Sequence, residues 1–459
     1  MDELAFLTAT EQAQLVRRGE VTPVELVETY LERIERLNPQ LNAFVTVVGE
    51  EALAAAAGEL PDGPFRGVPL PIKDLQETAG IRTTFSSRAY ADYVPDFDVA
   101  VVRRLKDAGF VVIGKTNTPE FGITAVTESQ LNGACRNPWN PERTPGGSSG
   151  GAAAAVVSGL APVAHGTDGG GSIRIPASCC GVFGIKPARG RVSLAPYGGH
   201  EGFSTSGPLA RTVLDAAALL DVMAGYETGD PWWAPPPERP FAEEPGADPG
   251  SLRVALTTAP PIDAPVAPEC VEAAGDAAAL LGELGHTVEE ATPPWGQDEL
   301  LDLFMAVWTV IPGLREHPPD LFEPMNRVLI DAGAKLNAVD YVVATQRLRA
   351  LARRIVAFWD DYDLVLTPTL AQPPPPIGAL IDESDPWRSF DNAWKFTPFT
   401  QVANITGLPA VSLPLFWSED SLPIGAQLIG GPAGEATLLR VAAQLEQARP
   451  WRDRRPPVS

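Results

Sequence analysis

Two glycine-serine clusters and one lysine carry the chemistry this sequence could perform. The clusters are Gly146-Gly147-Ser148-Ser149-Gly150-Gly151 and Gly169-Gly170-Gly171-Ser172, the second running on into Ile173-Arg174-Ile175-Pro176. Consecutive glycines let a backbone take conformations closed to other residues and approach a ligand closely. Successive free N–H groups in such a turn can form an anion nest, which is what a developing oxyanion needs. One cluster alone reads as an ordinary tight loop with solvated serines; two in one chain point to a serine placed to attack a carbonyl carbon. Such a serine needs a base. The four histidines (His165, His200, His286 and His317) lie outside both clusters, and His165, within an apolar run, reads as a core residue. Lys73 is the better candidate. It ends the extended apolar run Val68-Pro69-Leu70-Pro71-Ile72, and burial of an ammonium lowers its pKa. Bringing a lysine from about 10.4 to near 7 costs roughly 4 to 5 kcal/mol, which burial can supply. The competing reading is a lysine paired with a carboxylate. Alternation along a strand argues against Asp74 as that partner, because it sends Asp74 to the opposite face.

Something must hold these residues. Residues 8–37 read as helical, with Thr8 and Thr10 as caps and Val24, Leu31 and Ile34 near helical spacing. Residues 67–72 form an extended run, 98–108 a helix and 110–113 a buried strand. Between the two clusters, 152–157 reads as a buried helix and 161–164 as a strand. Further on come a proline-rich acidic surface loop (232–249), a strand (252–256), a helix (271–284), a strand (363–368) and a stiff proline connector (373–376). Strands at 410–414 and 425–429 and a helix at 435–447 close the chain. Helices and strands alternate, which predicts α/β packing.

The residues around the lysine and the two serines resemble the amidase-signature family. The resemblance runs from Arg136-Asn137-Pro138-Trp139-Asn140-Pro141 through Thr144-Pro145-Gly146-Gly147-Ser148-Ser149-Gly150-Gly151. It continues with Gly166-Thr167-Asp168-Gly169-Gly170-Gly171-Ser172-Ile173-Arg174-Ile175-Pro176, Gly181 to Pro187 and, far downstream, Asn404-Ile405-Thr406-Gly407-Leu408-Pro409. It implies an α/β fold with a mixed, twisted central β-sheet flanked by helices on both faces. It implies an amidase domain spanning 1–459, with a variable substrate-shaping region about 290–400 before the C-terminal strands. It implies that Ser172 is the nucleophile, that Lys73 is the base, and that Ser148, beside a cis peptide, passes the proton between them. The oxyanion would rest on backbone N–H groups of Gly169, Gly170, Gly171 and Ser172, with Ser149, Asp168 and Arg174 in support. One position departs from the pattern: Gly169 stands where relatives commonly carry Thr or Ile, so a looser nest is expected.

The activity this implies is hydrolysis of a carboxamide C–N bond through an acyl-enzyme, without metal or cofactor. The alternative within the family is the glutaminase A subunit of a tRNA-dependent amidotransferase, which reads glutamine's charged end with an acid shortly before N-x-x-G-L-P. Residues 395–401 hold no acid but do hold Phe396 and Phe399, which favours a fairly apolar acyl, aryl or oligoamide substrate. A rival outside the family is an α/β-hydrolase, since Gly146-Gly147-Ser148-Ser149-Gly150 fits G-x-S-x-G. That motif needs a strand directly before it, and Arg143-Thr144-Pro145 is not one.

The totals limit the rest. The chain has 459 residues and a formal net charge of −23, which repels phosphate backbones and anionic lipid surfaces, so neither nucleic acid nor membrane is expected as a partner. The expected partner is a small-molecule amide, with a homodimer as the default assembly. Neither a signal peptide nor a membrane span is legible. Cys135, Cys179, Cys180 and Cys270 show no metal-ligand spacing and read as buried free thiols. A cytoplasmic protein is expected.

Overall fold

In the computed structural model, which describes residues 2–297, 299–315 and 317–459, the chain builds one large mixed sheet and a smaller one beside it. The large sheet has eight strands in the order Thr287–Glu290, Arg253–Leu256, Leu364–Pro368, Pro423–Gly430, Ala410–Trp417, Phe183–Lys186, Thr205–Ala210 and Val163–Asp168. The first three run parallel and every later neighbour is antiparallel. The smaller sheet sets Pro69–Lys73 parallel and Phe44–Val47 antiparallel to the central strand Val111–Thr116.

Both faces of the large sheet are covered, and strand alternation decides which residue faces which layer. Leu364, Leu366, Val411, Leu413 and Leu428 join one core, under helices Val213–Met223, Pro268–Glu283 and Glu435–Ala448. Their neighbours Val365, Ala410 and Ile429 join the opposite core, under Leu300–Trp308, Ala338–Val356 and Gln401–Thr406. The expected α/β sheet with helices on both faces is what forms.

The predicted 8–37 helix is two helices. Ala9–Arg18 starts at a capping box between Thr8 and Glu11 and stops at Gly19, in the left-handed region at φ 70°. Pro23–Leu41 starts again at a second capping box, Thr22 with Glu25. The acidic 232–249 loop is not wholly surface, since Phe241 within it is buried and takes the Arg191 guanidinium against its ring. All four cysteines are buried and unpaired. Among the described residues, no helix is long and apolar enough to cross a membrane.

Candidate active site

The two sheets meet where Pro69–Lys73 packs beside Val163–Asp168, so Lys73, at the end of its strand, arrives next to both glycine-serine loops. Helix Gly150–Val157, apolar and buried on every side, ties the first loop to both sheets. The first loop enters that helix through a cis peptide between Gly147 and Ser148. The second follows directly from strand Val163–Asp168 and leads into helix Arg174–Cys180.

Lys73 is fully buried, and its Nζ is hydrogen-bonded to the hydroxyls of Ser148 (2.7 Å), Ser149 (2.9 Å) and Thr167 (2.9 Å). No carboxylate touches it among the described residues. Asp74 turns away, as strand alternation predicts, and accepts from the backbone N–H and hydroxyl of Thr84. Burial therefore dominates, holding the Lys73 pKa well below the ordinary lysine value against the weaker opposing pull of Asp168. Ser149 settles part of the proton arrangement. Its hydroxyl donates to the Thr167 carbonyl (3.1 Å), so its oxygen can only accept from Lys73. Thr167 is the neighbour that sequence reading passed over, though it sits inside the quoted motif.

The second loop is built around Asp168. One carboxylate oxygen accepts from the Gly171 N–H (2.8 Å), Arg174 Nη2 (2.9 Å) and Asn404 Nδ2 (2.9 Å). The other accepts from the Ile173 N–H (3.1 Å) and Arg174 Nε (3.0 Å). Burial alone would raise the Asp168 pKa, but the adjoining Arg174 charge and these donors hold it at about 2. Here the expected oxyanion donors need a correction, because the Gly171 N–H is already spent on Asp168. Those of Gly169, Gly170 and Ser172 have no described partner. Nor does the loop gape at Gly169. A Cβ there would lie 3.1 Å from Ser204 Oγ and 3.4 Å from the Trp308 ring, so the indole occupies the room a side chain would take.

Removing one member of a buried ion pair strands the other charge, at about 3–5 kcal/mol. Arg174→Met is accordingly expected to destabilise the protein by that amount in denaturant unfolding. A loss below about 1 kcal/mol, the scale of an exposed pair, would contradict the scaffold role.

Ser148, Thr167, Gly169 and Ser172 all line one cavity of about 1010 Å³. Ser148 and Ser172 thus border one space, and no direct hydrogen bond joins their hydroxyls among the described residues. Gly122, at φ 71°, closes over Ser148, where a Cβ would meet its Oγ at 3.1 Å. A second, much smaller compartment of about 50 Å³ touches Ser172 and Gly170 from another side and is walled by Phe304, Trp308 and Trp394. These three aromatics reach the site, whereas Trp295 and Phe322 are core and Trp387 is exposed. His165 is buried and hydrogen-bonded to Ser206, and burial together with Lys73 and Lys115 lowers its pKa to about 3; among the described residues its ring has no hydrogen bond to Ser148, Ser172 or Lys73.

The family profile described as Amidase matches residues 25–439. The 6-aminohexanoate-cyclic-dimer hydrolase of Paenarthrobacter ureafaciens is 40% identical over 474 residues, covering 98% of this chain and 96% of that protein. A solved structure of 6-aminohexanoate cyclic dimer hydrolase complexed with substrate superposes with a TM-score of 0.95, at 38% identity and 99% coverage of both chains. A bacterial aryl acylamidase of the amidase signature family superposes with a TM-score of 0.87, at 28% identity and 97% coverage of both.

Proposed function

Because the chain belongs to the amidase family and is an amidohydrolase, we propose that it cleaves fairly apolar amides through an acyl-enzyme on Ser172, with Lys73 as base and Ser148 as relay. The observation that carries this reading is a fully buried lysine amine 2.7 Å from a serine hydroxyl that shares a cavity with a second serine.

The geometry suits the chemistry step by step. A neutral amine has two N–H bonds and one lone pair. With its N–H bonds directed at Ser149 and Thr167, the lone pair is left for the Ser148 proton. Lys73 takes that proton as Ser148 takes one from Ser172, whose Oγ bonds to the amide carbon. The carbonyl oxygen becomes an oxyanion against the N–H groups of Gly169, Gly170 and Ser172. The proton returns through Ser148 to the nitrogen, the C–N bond breaks, and the amine leaves. Water then attacks the ester by the same relay, releasing the carboxylate. The hydrogen bond between the two serines forms on substrate arrival, since catalytic contacts commonly tighten only in the Michaelis complex. Asp168 and Arg174 touch neither substrate nor proton; they fix the loop.

Substrate class follows from the walls. Phe85, Phe121, Ile123, Trp232, Trp308 and Ile311 line the large cavity, which has room for an aryl group or a chain of several methylenes. The segment 300–341 supplies much of that wall, which supports its part in shaping substrate. Among the described residues no carboxylate lines the compartment around Thr397 and Gln401, so glutamine's charged end lacks a described reader there. Four buried free thiols suit a reducing cytoplasm.

A panel of anilides, alkyl amides, 6-aminohexanoate cyclic dimer and glutamine tests the reading. Turnover of apolar amides without glutaminase activity is expected. Hydrolysis of glutamine alone, on addition of a partner, would reverse the choice.

A further inference from the structure

We propose that Arg315 recognises a carboxylate carried at the far end of the substrate arm that occupies the large cavity. The proposal rests on the amidase reading above and narrows its substrate to amides whose apolar arm ends in a carboxylate, as a linear oligoamide of amino acids does.

Arg315 lies on the cavity wall. Its guanidinium carbon lies within a cage of aromatic rings, 4.7 Å from the centroid of Phe85, 5.4 Å from Phe121 and 6.0 Å from Tyr90. Such a cage restrains the cation through the ring faces while leaving its N–H fork unspent. Among the described residues, neither carboxylate on the same wall pairs with it. Glu77 accepts from the Tyr197 hydroxyl at 2.9 Å, and Glu201 pairs with Arg349 at 3.0 Å. Among the described residues, Arg315 has neither an ion pair nor a side-chain hydrogen bond. Its charge nonetheless reaches into the cavity, where, after burial, it helps to lower His200, another wall residue, to about 4. Among the described residues of the cavity wall, Arg315 is thus a caged cation with no carboxylate against it, in a protein of net charge −23. Such a protein repels anions at long range, so an anionic substrate needs a local positive group to be retained. A planar fork matches a carboxylate in bidentate fashion.

Two substrate pairs cover both arms of the amide. On the amine side, 6-acetamidohexanoate is compared with N-hexylacetamide; on the acyl side, the mono-anilide of adipic acid is compared with hexananilide. The readout is the ratio of kcat/KM within each pair, so a general loss of activity cancels. Wild type is expected to favour the carboxylate member of one pair, through KM, and high salt should erode that preference. Arg315→Gln should lower the ratio about tenfold, and Arg315→Lys should restore part of it, since it keeps the charge but loses the fork. A ratio unchanged in Arg315→Gln, or no preference in either pair, overturns the inference while leaving the amidase reading intact. Failure to hydrolyse even the uncharged members would instead overturn the amidase reading, and this inference with it.

Discussion

Ser172→Ala is expected to lose amide turnover by on the order of a thousandfold or more, with folding unaltered. Several hydroxyls line the cavity, including those of Ser148, Thr167 and Ser204, so the expectation has to separate Ser172 from its neighbours. Ser148 and Thr167 are hydrogen-bonded to the lysine amine. Ser172 alone follows the glycine run whose N–H groups at Gly169 and Gly170 have no described partner. An oxygen attacking from Ser172 therefore delivers the carbonyl oxygen to waiting donors, and one attacking from Ser148 does not. The substitution removes an atom without structural duty: the described hydrogen bond of this residue runs from the Ser149 N–H to its carbonyl, not to its side chain. Kinetics on an anilide, beside a thermal melt, check both halves. Activity within tenfold of wild type, in a folded variant, would remove Ser172 from the mechanism.

Lys73→Met should be nearly as damaging at neutral pH and should also change the shape of the pH–rate profile. The proton-accepting form is the free amine, and burial holds the Lys73 pKa well below the ordinary lysine value. The sign follows directly. Activity is full above the depressed pKa, where the amine is neutral, and falls as pH drops through it and the amine becomes ammonium. Methionine keeps length and apolar volume but accepts no proton, so the acid limb owed to Lys73 disappears along with most of the rate. Loss of a positioned general base typically costs 10²–10⁴-fold. An ordinary solvated lysine would have placed that limb near pH 10, so a limb at that pH in wild type would show that the amine is not desolvated as the structure has it.

The candidate site was legible in the sequence as residues that the fold brings together, because its parts are short local runs. Each serine sits in its own glycine-rich loop, and Lys73 is flagged by the apolar strand before it. The donor inventory was not legible to the same depth. Whether the Gly171 N–H faces an oxyanion or Asp168 depends on where that carboxylate is pinned, and Arg174 and the distant Asn404 pin it. The cavity wall was hidden for a related reason. Tyr197, Trp232, Trp308 and Arg315 come from segments spread over more than a hundred residues and meet only through the fold. In the sheet, Thr205–Ala210 went unread because Gly207 and Pro208 disguise a strand that is buried along its whole length between two partners. Thr287–Glu290 is a mostly exposed edge strand with two glutamates, and its composition gave no apolar run to find. The helical stretch before residue 41 is broken at Gly19 and restarted by the capping box at Thr22, and reading 8–37 as one helix passed over both signals.

The account stands on a desolvated amine drawing a proton from Ser172 by way of Ser148. Its most direct measurement is the rate at which a fluorophosphonate labels Ser172, followed by mass spectrometry across pH in wild type and in Lys73→Met. The predicted result is labelling confined to Ser172 in wild type, fast at neutral pH and slowing as pH falls, and slow throughout in the variant. Labelling of Lys73→Met at the wild-type rate with the same pH profile, or adduct formation at another residue, would contradict it.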